Sequence, residues 1–174
     1  MKTLLTAAAA SLVLFAGSAL AQSPSDAQIA AIVVTANQVD IDAGKLAESK
    51  GSNAEVKAFG KQMVTDHSGV NKQAVALVTK LKVTPEDNAT SKSLKAGGVD
   101  NVKNLEKLSG AAFDRAYVDH EVAYHEQVID TIDKTLIPSA QNAELKSLLV
   151  AVRPAFVAHL EHAKSLQATL AKKT

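Results

Sequence analysis

Apolar residues recur every three to four positions along almost the whole chain, and no segment shows the apolar/polar alternation of a β-strand. This spacing matches one face of an α-helix, which turns once every 3.6 residues. The pattern therefore predicts an all-α fold with four long helices. Their expected boundaries are about 25–50, 53–82, 110–136 and 142–171.

The starts of the second and fourth predicted helices resemble each other. "NAEVKAF" at 53–59 and "NAELKSL" at 142–148 are nearly the same sequence. The similarity fits two related hairpins, and it also fits two independent sequences that are good helix starts. Ser52-x-x-Glu55 has the spacing of a capping box, and Pro138 is expected to end the third helix.

Segment 83–108 is expected to be a long crossover connection between the second and third helices. Gly97 and Gly98 disfavour a continuous helix there, and a piece such as 99–108 is expected to form a short one. Two helices, one long crossover and two helices is the connectivity of ferritin-like bundles. We therefore predict a ferritin-like four-helix bundle, formed by residues 22–174 as a single domain.

The N-terminal segment predicts a secretory signal peptide at residues 1–21. A lysine precedes an apolar stretch at 4–16, and "ALA" at 19–21 has the small-residue pattern of a cleavage site. The apolar stretch is short for a membrane anchor. We expect cleavage after Ala21 and a location in the periplasm or outside the cell.

The composition excludes several classes of function. Removing Lys2 from the 19 Lys and Arg leaves 18 basic side chains against 18 Asp and Glu, which argues against nucleic acid as a partner because phosphate binding needs a basic surplus. The absence of cysteine excludes disulfides and thiolate metal sites. No segment after the signal could span a bilayer, so attachment to the envelope would be peripheral. No oligomeric state follows from the residues.

The stretch "HEVAYHE" at 120–126 almost has the His-Glu-x-x-His pattern of zinc proteases. That motif needs two histidines four residues apart on one helical face. His120 and His125 are five apart and diverge by roughly 140° on a helix. Glu121 and His125 are four apart and share a face. The stretch therefore predicts an inward-facing Glu/His pair rather than a protease.

Every predicted helix has at least one ionisable side chain on or beside its apolar stripe. Counted from the hairpin turns, most of these residues fall near the middle of their helices, where they could meet in one layer. Asp114 lies nearer one end and is expected in a different layer. The inward ionisable residues are Asp40, Asp66, His67, Asp114, Glu121, His125 and His159.

Buried charge is costly, so these groups must meet each other, a metal ion or water. Mixed imidazole and carboxylate ligands suit Fe, Mn, Zn or Cu. The sequence thus predicts a transition-metal site in the middle of the bundle. The candidate ligands are Asp40, Asp66, His67, Glu121, His125 and His159.

The chain has no Glu-x-x-His sequence, which ferritin-like di-iron centres require. The favoured hypothesis is therefore a non-catalytic or weakly redox-active metal-binding protein of envelope stress or metal handling. One alternative is a structural or interaction protein whose polar groups satisfy each other. Another is an oxidoreductase with an atypical metal centre.

Three stretches carry a family resemblance that covers nearly the whole chain after residue 21. The segments at 42–73, with "MVTDH", at 108–129, with "SGAAFDRAYV", and at 153–166 resemble the bacterial envelope family catalogued as domain of unknown function 4142. The resemblance implies a ferritin-like fold in an exported protein and supplies no settled activity. It places the recurrent polar residues of the family at Asp40, Asp66, His67, Asp114, His125 and His159.

Overall fold

The computed structural model describes residues 23–172, in which every regular element is helical, so the all-α prediction is confirmed. None of these helices is long and apolar enough to cross a membrane. The predicted signal peptide at 1–21 lies outside the described residues. The elements are α1 (Asp26–Lys50), α2 (Ala54–Leu81), α3 (Ala89–Glu106), α4 (Gly110–Thr131), a π-helical turn (Ile132–Leu136), α5 (Ile137–Ser139) and α6 (Ala143–Ala171).

Helices α1 and α2 form a hairpin whose backbones touch at two glycines. A Cβ atom on Gly44 would lie 2.8 Å from the carbonyl oxygen of Gly60, and one on Gly60 would lie 2.7 Å from that of Gly44. Such a contact excludes any side chain at either position. Gly44 follows Asp40 by one turn and Gly60 precedes His67 by two, so both side chains lie on the same side of this contact, where they come within 3.5 Å of each other.

Helix α4 packs against α6, α2 also packs against α6, and α1 contacts α4. Two apolar cores fill the space between them. One is built around Ile29, Leu149 and Phe156, and the other around Phe59 and Phe113. The residues of the first core come before mid-length in α1 and after it in α2, and those of the second core show the reverse. A layer at mid-length is left between the two cores.

Asp114 of α4 caps the start of α2, and this corrects the predicted capping box. Its carboxylate accepts hydrogen bonds from the backbone N–H groups of Ser52 and Asn53, each at 2.9 Å, and from the Ser52 hydroxyl. Ser52 is therefore not the N-cap. Asn53 is, and its side chain accepts from the N–H of Glu55. The buried carboxylate of Asp114, at the positive end of the helix dipole, thus does what the predicted Ser52/Glu55 capping box was expected to do.

The start of α6 is capped in the same way by the other hairpin. Asp26 of α1 accepts hydrogen bonds from the backbone N–H groups of Gln141 and Asn142, each at 2.9 Å. Asn142 is the N-cap of α6, as Asn53 is of α2. The two similar sequences at 53–59 and 142–148 thus begin helices with matching N-caps, each held by an aspartate of the opposite hairpin.

The connection at 83–108 contains a full helix, α3, where a short helix was predicted. Helix α3 begins at Ala89, ten residues before the predicted piece at 99–108. Its N-cap is Asn88, which forms a capping box with Ser91. The two glycines do not interrupt it, because one of them allows close packing: a Cβ on Gly98 would lie 2.6 Å from Val39 of α1. Packing of α3 on α1 outweighs the low helix propensity of glycine.

The third helix was expected to end in front of Pro138, but helical turns continue through this residue. Regular α-helix stops at Thr131, and the wider turn of a π-helix follows, in which the N–H of Ile137 bonds to the oxygen of Ile132. Pro138 then lies in the first turn of the short helix α5. The first turn tolerates proline because its N–H groups have no partner within the helix.

Candidate metal centre

A layer of five ionisable side chains lies at mid-length between the two apolar cores. All four long helices outside the crossover contribute to it. None of the five side chains is more than 3% exposed. The members of this layer, called the polar layer below, are Asp40 of α1, His67 of α2, Glu121 and His125 of α4, and His159 of α6.

The three histidines of the polar layer form a nearly equilateral triangle. Their ring centroids are 5.7 Å apart for His67 and His125, 5.2 Å for His67 and His159, and 5.5 Å for His125 and His159. A point equidistant from the three centroids lies about 3.2 Å from each, and an ion bound about 2.1 Å from a ring nitrogen lies at about this distance from the centroid. One ring nitrogen of each histidine lies within 4.8 Å of the other two.

Hydrogen bonds fix the tautomer of His67. Asn37 donates through Nδ2 to the oxygen of Val33 at 2.7 Å, which turns its Oδ1 towards Nδ1 of His67 at 2.8 Å. Because an amide oxygen only accepts, Nδ1 of His67 carries the proton. Its Nε2 then keeps a lone pair, and it has no hydrogen-bond partner among the described residues.

The other two histidines follow the same pattern. Nδ1 of His125 donates to the backbone oxygen of Glu121 at 3.0 Å, and Nε2 of His159 donates to Oδ2 of Asp66 at 2.9 Å. This leaves lone pairs on Nε2 of His125 and Nδ1 of His159, both buried and without a hydrogen-bond partner within residues 23–172. Metal-binding histidines have this arrangement, one nitrogen held by an acceptor and the other free for the ion.

Two carboxylates lie beside the triangle. Asp40, Glu121 and His125 each place one ligand atom within 4.8 Å of the other two, and Oδ2 of Asp40 is 3.5 Å from Nε2 of His67. Ligands about 2.1 Å from a tetrahedral ion lie about 3.4 Å apart, close to this spacing. Apart from the contact of the two carboxyl groups with each other, none of the four carboxylate oxygens has a hydrogen-bond partner in the described part of the chain.

Burial shifts the pKa of both carboxyl groups upwards. It raises the pKa of Glu121 to about 8. It also raises the pKa of Asp40 well above its usual range, and the nearby charge of Glu121 adds to this. Two buried carboxylates so close together cannot both ionise without a neutralising cation.

Burial shifts the pKa of the histidines downwards, which keeps the imidazoles neutral. The pKa of His67 falls to about 2, first through burial and then through the nearby His125 and His159. That of His125 falls to about 4, mainly through burial, and burial also lowers the pKa of His159. Neutral imidazole is the form that binds metal ions.

The structure therefore brings together five of the six predicted ligands. The sixth, Asp66, is 42% exposed and lies behind His159 as its hydrogen-bond acceptor. Asp114 lies in a different layer, as predicted from its position in the helix. Asn37 was not found from the sequence, although it lies one helical turn before Asp40 on the same face, where a buried amide beside a candidate ligand is a usable signal.

An apolar cavity of about 40 Å³ lies next to the polar layer. Its inner wall includes Asn37 and Phe156, which both contact His67, Phe156 with a ring-centroid distance of 5.0 Å. Thr90 of α3 and Thr131 of α4 also line it. The volume is about three times the roughly 10–15 Å³ that one water-sized probe requires, so the cavity could hold a molecule of only a few atoms.

The fold and the polar layer define an all-helical protein with a buried group of histidine and carboxylate side chains that could hold a metal ion. The sequence matches the profile of the family described as "Domain of unknown function (DUF4142)" over residues 14–166. The chain belongs to this family, which confirms the resemblance. Comparisons with curated proteins and with solved structures gave no match.

Proposed function

We propose that this chain binds one transition-metal ion in the polar layer. His67, His125 and His159 supply nitrogen ligands, and Asp40 and Glu121 supply the negative charge that neutralises the ion. The proposal rests on one observation above all. The three buried imidazoles each place one ring nitrogen within 4.8 Å of the other two, and their fixed tautomers leave on each ring a lone pair without a hydrogen-bond partner among the described residues.

The alternative of a self-satisfied polar network is less consistent with these contacts. In such a network each buried donor would meet an acceptor. Here the three free ring nitrogens are all acceptors. The neighbour of Nε2 of His67 is Oδ2 of Asp40 at 3.5 Å, which accepts as well unless it carries a proton. A cation satisfies all of these groups at once, whereas protons on the two carboxyl groups satisfy at most two of them.

Three imidazoles favour Zn, Cu or Fe, while the carboxylates also admit Mn. The apolar cores on both sides exclude water from the layer and strengthen the attraction between ion and carboxylates. The absence of a Glu-x-x-His sequence argues against iron storage at a di-iron centre. We therefore propose that the protein is a non-catalytic or weakly redox-active metal-binding protein of envelope stress or metal handling.

The test is the metal content of untagged protein, measured by mass spectrometry after isolation from the periplasm. The wild type should carry close to one equivalent of metal, and the double variant His125→Ala/His159→Ala should carry none. His162→Ala is the matched control, because His162 is an exposed histidine and should leave the metal in place. Wild-type protein that is metal-free and takes up no Fe, Mn, Zn or Cu would refute the proposal and leave the polar network.

The apolar cavity favours a second function, that of an atypical metal-dependent oxidoreductase. Both polar groups of its one buried amide, Asn37, are already hydrogen-bonded. A water molecule at the inner wall would therefore find no free hydrogen-bonding group on this amide. The cavity suits a small apolar molecule such as dioxygen, and its lining residues Asn37 and Phe156 contact His67. Oxygen consumption by the metal-loaded protein with a reductant, abolished in His125→Ala/His159→Ala, would support this function. A loaded protein that consumes no oxygen would exclude it.

We further propose that the fold is ferritin-like and that the protein is exported. The α1/α2 and α4/α6 hairpins, joined through α3, have the connectivity of a ferritin-like bundle with one long crossover. Residues 1–21 have the sequence of a signal peptide, and attachment to the envelope would be peripheral. N-terminal sequencing of the cellular protein should give Gln22 as the first residue, and an intact Met1 would contradict export by cleavage.

A further inference from the structure

An ion that binds in the polar layer must have a route to it, because the five side chains are almost completely buried. Among the described residues, two partly exposed polar side chains lie directly beside members of the layer. On one side lies Asp66, but there the ring of His159 stands between the exposed carboxylate and the other ligands. On the other side lies His120, the histidine of "HEVAYHE" that the proposed site does not use.

His120 connects a cleft with the polar layer. The cleft, of about 520 Å³, lies between α3 and α4, and Ser93, Gly97 and His120 are among its lining residues. The His120 side chain is 27% exposed. Its Nδ1 is nevertheless buried, and it has no hydrogen-bond partner among residues 23–172. The ring stacks on Tyr124 with an interplanar angle of 15°, which holds its orientation.

Glu121 has a histidine on each side. Its Oε1 is 4.0 Å from Nδ1 of His120, and its Oε2 is 3.5 Å from Nδ1 of His125. Nδ1 of His125 is already hydrogen-bonded to a backbone oxygen, whereas that of His120 is not bonded. One carboxylate oxygen therefore lies beside the histidine that lines the cleft, and the other lies beside a histidine of the buried triangle.

We infer that His120 and Oε1 of Glu121 form an outer, transient binding position for a divalent cation at the floor of the α3/α4 cleft, through which the ion reaches the polar layer. This inference rests on the proposed function. At the outer position His120 replaces part of the hydration shell of the cation. The carboxylate of Glu121 then transfers the ion to the inner histidines by exchanging one oxygen for the other. His120 is a positioning residue for loading and not a ligand of the final site.

The test is the rate at which metal-depleted mature protein takes up Co²⁺, followed by the visible absorption of the bound ion. His120→Phe removes the nitrogen ligands and retains the ring that stacks on Tyr124. We expect it to slow loading about tenfold while the final stoichiometry stays that of the wild type. His162→Phe is the matched control and should load at the wild-type rate.

Two further variants test the route itself. Ser93→Trp fills the cleft from α3 without changing any ligand, so it should also slow loading. Gln62→Trp places the same side chain between α2 and α6, where Gln62 contacts Asp66 and His162, and it should not slow loading. Slow loading in Gln62→Trp together with wild-type rates in His120→Phe and Ser93→Trp would overturn the inference and place the route at α2 and α6. Wild-type protein that binds no Co²⁺ would instead refute the proposed function itself.

Discussion

The protein buries carboxylates in two places, and the two differ in their partners. Asp114, at the end of α4, is 2% exposed and accepts three hydrogen bonds from the start of α2. Asp40 and Glu121, at mid-length, are equally buried, but apart from each other their four oxygens have no hydrogen-bond partner among the described residues. The same chain thus contains one satisfied buried carboxylate and one unsatisfied pair.

This difference separates a structural role from a binding role. Folding tolerates a buried charge when the surrounding groups stabilise it, as the N–H groups of α2 do for Asp114. An unsatisfied pair opposes folding and is expected where a ligand outside the chain supplies the missing partner. The comparison therefore predicts that substitutions at the two places change stability in opposite directions.

The largest effect is expected for Asp114→Ala, which removes all three hydrogen bonds that the buried carboxylate accepts and leaves two N–H groups at the start of α2 without their acceptor. Loss of charged hydrogen bonds of this kind should lower the free energy of unfolding by about 3 kcal/mol, measured by urea denaturation. Asp119→Ala is the control, because Asp119 is exposed on the same helix and should change stability by less than about 0.5 kcal/mol. Metal content should be unchanged in the folded fraction of both variants.

Glu121→Leu should have the opposite sign in metal-free protein. It replaces a buried, unpartnered carboxyl group by an apolar side chain of similar length, which should raise the free energy of unfolding by about 2 kcal/mol. Metal affinity should fall in the same variant. Glu126→Leu, at an exposed position of α4, is the control. If Glu121→Leu destabilised chelator-treated protein, the carboxylate would have partners within the chain and the comparison would fail.

The sequence predicted the helices better than their connections. The boundaries of α1, α2 and α6 follow from apolar periodicity and lie within one residue of those predicted. Helix α3 was underestimated because its stability depends on the contact between Gly98 and Val39, which is not local in sequence. The cap of α2 by Asp114 joins residues about 60 positions apart and has no signal within a short window.

The polar layer was predictable in membership but not in detail. Helical spacing placed Asp40, Glu121 and His125 on inward faces, and counting from the turns placed them at one height. Distances of a few ångströms decide which side chains could bind an ion and which ones only orient a ligand by a hydrogen bond. For this reason the sequence could not distinguish Asp66, which holds His159, from the five residues of the layer.

The pH dependence of stability should also separate the two places. In metal-free protein the pKa of Glu121 rises from 4.5 to about 8. Between these values the folded state binds more protons than the unfolded state, so stability falls as the pH rises. The pKa of His125 falls from 6.5 to about 4. Over that range the unfolded state binds more protons, so stability rises with pH.

The two slopes oppose each other between about pH 4.5 and 6.5, and the carboxylate slope alone remains from 6.5 to about 8. Thermal denaturation of metal-free protein should therefore show maximal stability in the lower window. Above it, stability should decline by at most about 1.4 kcal/mol per pH unit for each proton. The decline should become smaller in Glu121→Leu, where only Asp40 keeps a pKa raised by burial, and should persist unchanged in Asp114→Ala. A stability that is flat from pH 6.5 to 8 would contradict the shifted pKa of Glu121.

The smallest effect is expected for Asp26→Ala, the counterpart of Asp114→Ala at the start of α6. Asp26 also accepts two backbone hydrogen bonds at 2.9 Å, but it is partly exposed. Water can replace the lost carboxylate there, so the free energy of unfolding should fall by only about 1 kcal/mol. Since both aspartates accept from the backbone N–H groups of the two residues before a helix, the difference between the variants measures what burial and the additional Ser52 hydroxyl bond of Asp114 contribute. Equal losses at the two positions would show that burial contributes nothing, and the contrast between Asp114 and the polar layer would then have to come from hydrogen bonding alone.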